Sequence, residues 1–463
     1  MLIYQDWLDE ENKEDFILQA IAEHESTEDY QIALDADEYD KQKNVTITNY
    51  LKTMYTMSGQ SVVDFTASNA KIASNFFHRL ITQRASYLLG NGVFFNNEET
   101  KTRLGKHFDE VMYKLAKNAL KHKVSFGYWD YSELHIFKYT EFVPIWDGET
   151  SALRMGIRYW QIDSGKPKYI VLYEEDGYTK YRTAYDEDDK EFLILLQEKR
   201  AYVQQIAKTE AGGEEIVGES NYASLPIIPL WASDLRQSAL VGTREAIDSY
   251  DLIRSGFAND LDDVAMIYWL IKNAGGMDED DLARFRDRLK IQHIASITTQ
   301  DGAEVAPYTQ DIPYQARDAY LQGIKTQIYE DFGALDVHQV SANSTNDHLE
   351  AAYEPMDEEA DEFEYEVSAF IYKLLGLIGI EDDPTYKRNK ISNQTEQTQM
   401  VLSASDYLDE ETVLNKLPFV TVDEVEKILR NRDAEDMDRF IGVERREPRF
   451  TEEEQETEEE VNG

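Results

Sequence analysis

The segment TREAIDSYDLIRSGFANDLDDVA, residues 243–265, carries the clearest structural signal in the sequence. Its apolar side chains recur at spacings of three and four residues, which predicts an amphipathic helix. That apolar face is too broad for an isolated surface helix, so we expect the helix to have more than one packing partner. The face consists of Ile247, Tyr250, Ile253, Phe257, Leu261 and Val264.

The residues after this helix predict a short αβ unit and then another helix. MIYWLIKNA (266–274) and IQHIASITT (291–299) are rich in β-branched and aromatic residues, which is typical of strands. Residues 278–289 between them have a helical pattern. Pro313 suits the first position of a helix, and that helix should run to about Phe332.

A polar loop and a long helix come next. VHQVSANSTND (337–347) is small and polar, so it predicts a loop. The helix from about His348 to Ile378 contains Pro355, which should kink it unless the helix begins there. Its exposed face should be strongly acidic. The acidic residues are Glu354, Asp357, Glu358, Glu359, Asp361, Glu362, Glu364 and Glu366.

The N-terminal half changes from helix to sheet. Residues 62–89 predict a helix that ends at a Gly-Asn-Gly sequence, and a second helix should cover roughly residues 103–121. Residues 124–233 are rich in aromatic and β-branched residues, and Asp-Gly pairs at 147–148 and 176–177 favour hairpins. This half therefore predicts helices followed by an antiparallel β region. The apolar residues of the first helix are Val62, Phe65, Ile72, Phe76, Leu80 and Leu88.

The C-terminal part predicts less structure. NKISNQTEQTQMVLSAS (389–405) connects to a final helical stretch, in which Asp423 could cap a helix over residues 425–432. The segment TEEEQETEEEVNG (451–463) is rich in Glu and has almost no apolar residues, so we expect it to be disordered.

The composition is strongly acidic, with 91 Asp and Glu against 47 Lys and Arg and a net charge of -44. Such a surface should not bind nucleic acid by neutralising phosphates, although it could surround DNA without holding it. The absence of cysteine excludes disulfides and thiolate metal sites and fits a reducing cytoplasm. We expect no signal peptide and, with no window near ~18 apolar residues, no membrane span.

The sequence lacks the common catalytic motifs. GxxxxGK[ST], HExxH and GxSxG are absent, which argues against ATP hydrolysis, a zinc protease site and a hydrolase nucleophile elbow. Asp260, Asp262 and Asp263 could serve a metal-dependent nuclease or phosphoesterase. In so acidic a chain such clusters arise by chance, and we favour a solvated surface. We predict no enzyme activity, no cofactor and no metal site.

A basic helix face stands out within the αβ unit. It consists of Arg284, Arg286, Arg288 and Lys290. Ion pairing with acidic residues, within one molecule or between copies, is the simpler interpretation. The alternative is a docking surface for an acidic partner or for phosphate groups.

Four segments carry short motifs that are informative when they occur together and in order. Residues 68–93 contain an Asn and a helix with the ending YLLG, and residues 124–148 contain a strand and a P-x-x-D hairpin. Residues 225–276 contain an IPL strand, I-D-x-Y-D and S-x-x-x-N-D, and residues 402–429 contain E-T-x-L-x-x-L-P-x-V. Together these segments resemble the portal proteins of siphophages that infect Gram-positive hosts.

The resemblance implies an α+β, portal-like protomer with a helical and β wing, a two-helix stem, a small αβ clip, a long helix and a helical C-terminal crown. The apolar face of the helix at 243–265 would then be a stem and oligomer interface. The implied boundaries are 1–242 (wing), 243–264 (stem helix), 265–310 (clip), 311–336 (second stem helix), 337–347 (tunnel loop), 348–408 (long helix and wing return), 409–445 (crown) and 446–463 (acidic disordered tail).

The resemblance also implies a function. The chain would form a homo-oligomeric ring, expected to be a dodecamer, at the portal vertex of a virion capsid assembled in the host bacterial cytoplasm. Double-stranded DNA would pass through it without sequence specificity during packaging and ejection. A terminase large subunit and a head–tail connector would dock on the clip, through the basic face, and scaffolding and major capsid proteins would be further partners. We expect no membrane partner.

The tunnel loop that faces DNA would consist of Val340, Ser341, Ala342, Asn343, Ser344, Thr345 and Asn346. Without the resemblance, a plain connector between two helices is an equally good interpretation of this loop. Two alternative functions also stay open. One is the metal-dependent nuclease or phosphoesterase, and the other is a capsid or connector protein that is not a portal.

Overall fold

The structure, a computed structural model, describes residues 2–55, 59–64, 68–208, 214–264, 268–272, 280, 284, 304–308, 314–337, 346–390, 394–417, 420, 425 and 427–431. The chain divides into two units. The first comprises Met1–Asp336 and Glu354–Asn389, and the second comprises Val337–Tyr353 and Lys390–Gly463.

Four helices begin the first unit: α1 (Tyr4–Asp9), α2 (Lys13–Glu25), α3 (Glu28–Asp40) and α4 (Val45–Asn49). Side chains cap the N-termini of two of them: Asn12 accepts hydrogen bonds from two backbone N–H groups of α2, and Thr27 accepts a hydrogen bond from one backbone N–H group of α3. Each helix buries a narrow set of side chains and leaves the rest, many of them acidic, in solvent. This pattern is that of helices lying on the surface of a larger core.

The helix predicted over residues 62–89 forms only in its second half. Residues 61–63 are strand β2, which pairs with β1 (Thr53–Tyr55), and residues 68–75 are not helical. Helix α5 covers Phe76–Leu89 and ends at Gly90, as predicted. The first half of the prediction is wrong because the backbone N–H groups of Ala70, Ile72 and Ser74 donate to side chains of a distant helix. Phe65 lies outside the described residues.

The second predicted helix is divided in two. Strand β3 (Val93–Phe95) precedes α6 (Glu98–Leu104), and α7 covers Phe108–His122. Gly105 lies between the two helices with φ 91°, a conformation that favours glycine and cannot continue a helix.

The prediction of an antiparallel β region is confirmed. Its strands are β4 (Val124–Trp129), β5 (Leu134–Lys138), β6 (Phe142–Trp146), β7 (Leu153–Gln161), β8 (Lys168–Glu174), β9 (Gly177–Tyr185), β10 (Glu191–Arg200), β11 (Val203–Lys208), β12 (Glu214–Ser220) and β13 (Ile227–Trp231). They form a five-stranded sheet in the order β10-β9-β8-β7-β6, a three-stranded sheet β13-β4-β5 and a β11-β12 ribbon.

The five-stranded sheet is covered on both faces. On one face Ile157, Ile170 and Leu172 pack with Trp7 of α1 and Ile17 of α2. On the other face, residues of β8 pack against the three-stranded sheet. That second cluster joins Val171 and Tyr173 to Phe126 and Phe137. Successive side chains along each strand point to opposite faces, so the two faces of this one sheet contribute to two separate hydrophobic cores.

Long helices and two small strand pairs complete the first unit, to which the last of these helices belongs from Glu354 onward. They are α8 (Arg244–Val264), β14 (Tyr268–Lys272), β15 (Glu304–Tyr308), α9 (Tyr314–Asp331), α10 (Asn346–Ile378) and β16 (Pro384–Tyr386), which pairs with β3. The largest core lies among these helices and α3, α5 and α7, with Phe363, Val367 and Phe370 of α10 near its centre. The long helix includes Pro355 in its interior and begins at Asn346, two residues earlier than predicted.

The predicted αβ unit is described only in part. The strand predicted at 266–274 forms as β14, and its partner is β15, a segment that was not predicted to be a strand. The predicted strand at 291–299 lies outside the described residues, as does most of the helix predicted at 278–289. Asp280 and Arg284 in that helix are described and helical.

The second unit contains helices α11 (Gln394–Ser403) and α12 (Glu410–Lys416). The connector predicted at 389–405 is therefore wrong for its second half, where Gln, Glu, Met and Leu, good helix formers, make α11. Residues 427–431 are helical, in agreement with the predicted helix there. Asp423, its expected cap, and the Glu-rich segment 451–463 lie outside the described residues.

Candidate functional site

Helices α8 and α9 form an antiparallel pair. Near one end of the pair, Arg317 of α9 forms an ion pair with Asp260 of α8. Near the other end, Tyr250 of α8 and Tyr329 of α9 pack edge-on against Phe76, with ring centroids 5.0 and 6.1 Å away. The paired strands β14 and β15 continue the two helices beyond the ion pair. At about 1.5 Å per residue, α8 is about 31 Å long.

A polar stripe on α8 binds the extended segment 68–75, here called the strap. Three polar side chains of α8, spaced by four positions, are buried against the strap. Each of them accepts a hydrogen bond from one backbone N–H group of the strap. The pairs are Asp251 with Ser74 (2.9 Å), Ser255 with Ile72 (3.0 Å) and Asn259 with Ala70 (2.6 Å). The hydroxyl of Ser68 extends the series by donating to Asp262 at 2.6 Å.

The spacing of these bonds follows from the geometry of the two elements. Alternate residues of an extended chain are roughly 6.6 Å apart, and every fourth residue of a helix is about 6 Å along its axis. The N–H group of every second strap residue can therefore donate a hydrogen bond to the side chain of every fourth residue of α8. Buried backbone N–H groups outside regular structure need such partners, so this stripe keeps the strap extended on α8.

Asp251 is the most deeply buried member of the stripe, with an exposure of 0%. Its carboxylate also accepts a hydrogen bond from Asn44, whose amide donates to the carbonyl of Ser74 at 3.1 Å. Burial raises the pKa of Asp251, while the hydrogen bonds from Asn44 and Ser74 act in the opposite direction. This residue thus joins α8 to the strap and to the start of α4.

The first turn of α8 has its own attachment to the N-terminal helices. Asp248 accepts hydrogen bonds from the hydroxyls of Tyr39 and Thr46, the latter at 2.6 Å. Burial, followed by the bond to Asp248, raises the pKa of Tyr39 to about 12. Arg244 forms an ion pair with Asp35 at 2.8 Å. The base of α8 is therefore fixed to α3 and α4.

Burial decreases along the apolar face that was predicted on α8. Ile247 is fully buried in the first unit, whereas Leu261 is 54% exposed. Three residues between them are half-buried, namely Tyr250, Ile253 and Phe257. The side chain of Val264 lies outside the described residues. Packing among the described residues therefore covers the start of this face and leaves its end exposed.

Most of the predicted clip and loop residues lie outside the described part of the chain. Arg284 is helical and exposed, and Arg286, Arg288 and Lys290 are among the residues not described. The same holds for Val340 through Thr345. Asn346 is described and is the first residue of α10 rather than part of a loop.

Two of the three aspartates considered for a nuclease site form ion pairs or hydrogen bonds within the chain. Asp260 forms an ion pair with Arg317, and Asp262 accepts a hydrogen bond from the hydroxyl of Ser68. The side chain of Asp263 lies outside the described residues. Two of the three carboxylates thus have structural roles in the helix pair and the strap, which does not favour the nuclease interpretation.

Among the described residues, one group has the composition and spacing to hold a metal ion: Asp130, Glu133 and His135. Its geometry is that of a turn between β4 and β5, because Asp130 accepts the N–H groups of Ser132 and Glu133 at 3.0 and 2.9 Å. Burial raises the pKa of Asp130, but these hydrogen bonds and the one from His135 outweigh it and lower the value overall. The turn explains the cluster without an ion.

The acidic face predicted on α10 is partly neutralised. Arg388 contacts three of its carboxylates, those of Asp357, Asp361 and Glu364. The guanidinium of Arg84 lies 2.8 Å from Glu359 and donates to the carbonyl of Phe332 at the end of α9. Glu354, Glu358 and Glu362 remain exposed. The face therefore includes both structural ion pairs and an open acidic surface.

The family model described as "Phage portal protein, SPP1 Gp6-like" matches residues 20–438. The chain belongs to this family of phage portal proteins. It is 25% identical to the portal protein of Clostridium phage phiCD119 over 389 residues, which cover 77% of this chain and 84% of that relative. It is 23% identical to the portal protein of Bacillus phage SPP1 over 416 residues, covering 80% and 77%.

Among solved structures, the portal chain is similar to a chain in the neck of an empty GTA particle. The TM-score is 0.44 at 12% identity, and the match covers 73% of this chain and 88% of that one.

Portal proteins of this family are structural components of tailed phages, found at the capsid vertex, where they form ring oligomers. Their role is not enzymatic. The resemblance stated from sequence is thus confirmed, as is the mixed helix and sheet fold. No described helix is long and apolar enough to cross a membrane.

The portal motifs in α8 coincide with the residues that fasten this helix. I-D-x-Y-D supplies Asp248 and Asp251, and S-x-x-x-N-D supplies Ser255, Asn259 and Asp260. Sequence reasoning identified these motifs but missed their contacts with the strap. A polar stripe at four-residue spacing opposite the apolar face was the signal that could have revealed them.

Proposed function

We propose that α8 and α9 are the stem of the portal channel, within residues 243–264 and 311–336, and that residues 265–310 are its clip. One observation carries this assignment: the helices run antiparallel, and their far ends lead into the paired strands β14 and β15. A ring of such pairs encloses a channel, and the strands project at one end of it. The half-exposed end of the α8 apolar face is then the contact with the next subunit.

The remaining segments take their roles from this placement. Residues 1–242 form the wing, residues 348–408 the long helix and its return, and residues 409–445 the crown. Residues 337–345 form the tunnel loop that faces DNA, through Val340 to Thr345. The attachment of α8 to the strap and to α3 makes the stem and wing of one subunit move together.

Double-stranded DNA passes through this channel in both directions without sequence-specific contacts. Each phosphate contact with Lys or Arg adds salt-dependent affinity, so a channel rich in basic residues would retain DNA. A chain with net charge -44 avoids this. The small polar side chains of the tunnel loop suit transient contact, and energy for translocation comes from a separate terminase.

Partners dock at the clip and around the wing. Arg284, Arg286, Arg288 and Lys290 offer a basic surface to the terminase large subunit during packaging and to a head–tail connector afterwards. Scaffolding and major capsid proteins surround the ring, which is a dodecamer assembled in the host cytoplasm. The protein itself has no catalytic activity in this scheme.

Removing the tunnel loop tests the role assigned to it. A variant in which residues 338–345 are deleted should still form rings, because the deletion lies outside the stem and outside α10, while packaging of DNA into capsids should fall sharply. Packaging is measured as nuclease-protected DNA per particle, and ring formation by electron microscopy of the same preparation. A variant that packages normally would refute the role of the loop, and a variant that fails to fold would show that the loop is structural.

A further inference from the structure

The five-stranded sheet extends beyond the sheet that covers it. Strands β7, β9 and β10 have 9, 9 and 10 residues, whereas β13, β4 and β5 have 5, 6 and 5. On the covered face, burial decreases along β8. Tyr173 and Val171 are 6% and 5% exposed, and Tyr169, next on the same face, is only half-buried. Among the residues that the structure describes, no layer covers the far end of this face.

That uncovered end carries apolar side chains around one arginine. The register places Trp160, Tyr169, Arg182 and Ile194 side by side across four strands. The rings of Trp160 and Tyr169 stack with centroids 5.9 Å apart. Phe192, two residues along β10 on the same face, is 41% exposed. These five residues are here called the overhang patch.

The positive charge of Arg182 determines which kind of partner the overhang patch can bind. It is exposed and has no hydrogen bond or ion pair with any residue in the described part of the chain. A cation among aromatic side chains in a chain of net charge -44 is complementary to a carboxylate with apolar neighbours. The patch as a whole thus fits an acidic surface that also presents an aromatic ring.

The same unit of the chain presents such a surface on α10. Glu354, Glu358, Tyr365 and Ala369 follow one another at spacings of four, seven and four residues, so they share one helix face. All four are exposed, and Tyr365 is 77% exposed. Neither glutamate has an ion-pair partner among the described residues. These four residues are here called the acidic stripe.

Arg182 and Phe192 of the patch and all four residues of the stripe are exposed in one copy, which leaves both surfaces accessible to a second copy. We propose that the overhang patch of one copy docks on the acidic stripe of the next copy in the ring. Two different complementary surfaces on one chain make a head-to-tail contact, and such contacts close into a ring when the rotation between copies permits. This inference rests on the proposed ring and adds a wing contact to the contact between stems.

Charge reversal in the full-length protein tests the pairing. The variants are Arg182→Glu, Glu358→Arg and the two together, and the ring population is measured by mass photometry over a concentration series. Each single variant should raise the protein concentration needed for half-maximal ring formation at least tenfold. The double variant, which restores opposite charges, should recover most of that loss. Lys190→Glu, on the turn before β10 and outside the patch, is the matched control and should change nothing.

The outcomes separate this inference from the proposed function. If the wild-type protein forms no rings, the portal ring itself is refuted. If the wild type forms rings and Arg182→Glu forms them equally well, the patch is not a subunit contact. A double variant no better than either single variant would overturn the pairing with α10. Binding of duplex DNA that is lost in Arg182→Glu, with rings intact, would assign the patch to nucleic acid instead.

Discussion

Replacing Asn259 by Ala should release the strap locally. The side chain of Asn259 is 6% exposed, and its Oδ1 accepts the N–H of Ala70 at 2.6 Å. Alanine removes the acceptor of this partly buried N–H, and leaving such a group unpaired costs about 1–3 kcal/mol. If the cost falls on opening of the strap alone, hydrogen exchange there should accelerate roughly 5- to 150-fold.

The measurement is hydrogen–deuterium exchange by mass spectrometry on a peptide that contains residues 68–75. Ser255→Ala should act in the same way through the N–H of Ile72. Asn91→Ala is the control, because Asn91 is exposed and its amide donates to the carbonyl of Lys387, far from the strap in sequence. Exchange that stays at the wild-type rate in the strap, or that rises uniformly across the chain, would refute the idea that these side chains hold the strap extended.

Two further predictions concern stability. Burial lowers the pKa of His122 below 6.5, so the unfolded chain binds more protons than the folded protein below that pH. The free energy of unfolding should therefore fall as the pH drops below about 6.5. In thermal unfolding at pH 5 and 8, His122→Gln should show a smaller difference in stability than the wild type, and an equal difference would contradict this role of His122. Gly177→Ala should destabilise the β8–β9 hairpin by more than about 1 kcal/mol. The reason is that φ is 144° there and a Cβ would lie 2.3 Å from the carbonyl oxygen of Arg200. Gly165→Ala, in open space, should be neutral in the same denaturation assay.

The sequence predicted elements where a single periodicity acts over many residues. The antiparallel strands at 124–233 and the helices α8, α9 and α10 were predicted with the right type and nearly the right ends. The strap was misassigned, since its apolar residues have helical spacing while its conformation depends on side chains almost 190 residues away. Local patterns cannot show that Asn259 accepts a hydrogen bond from Ala70.

In the candidate site, too, local sequence patterns were predictable and long-range contacts were not. The motifs in α8 identified the family and placed the helix pair, because residue types at fixed spacing are visible in a sequence. The pairing of Asp260 with Arg317 and the partial exposure of Leu261 became visible only with the fold. The overhang patch was not predicted, since it arises from the difference in size between two sheets.

In the proposed assembly this chain forms a ring around a channel, with α8 and α9 as its stem. Electron microscopy of the assembled full-length protein shows where these two helices lie. We expect closed rings with an open centre, in which an antiparallel helix pair from each subunit lines the narrow part of the channel. Monomers at micromolar concentration, open filaments, or rings in which α8 and α9 lie on the periphery would contradict it.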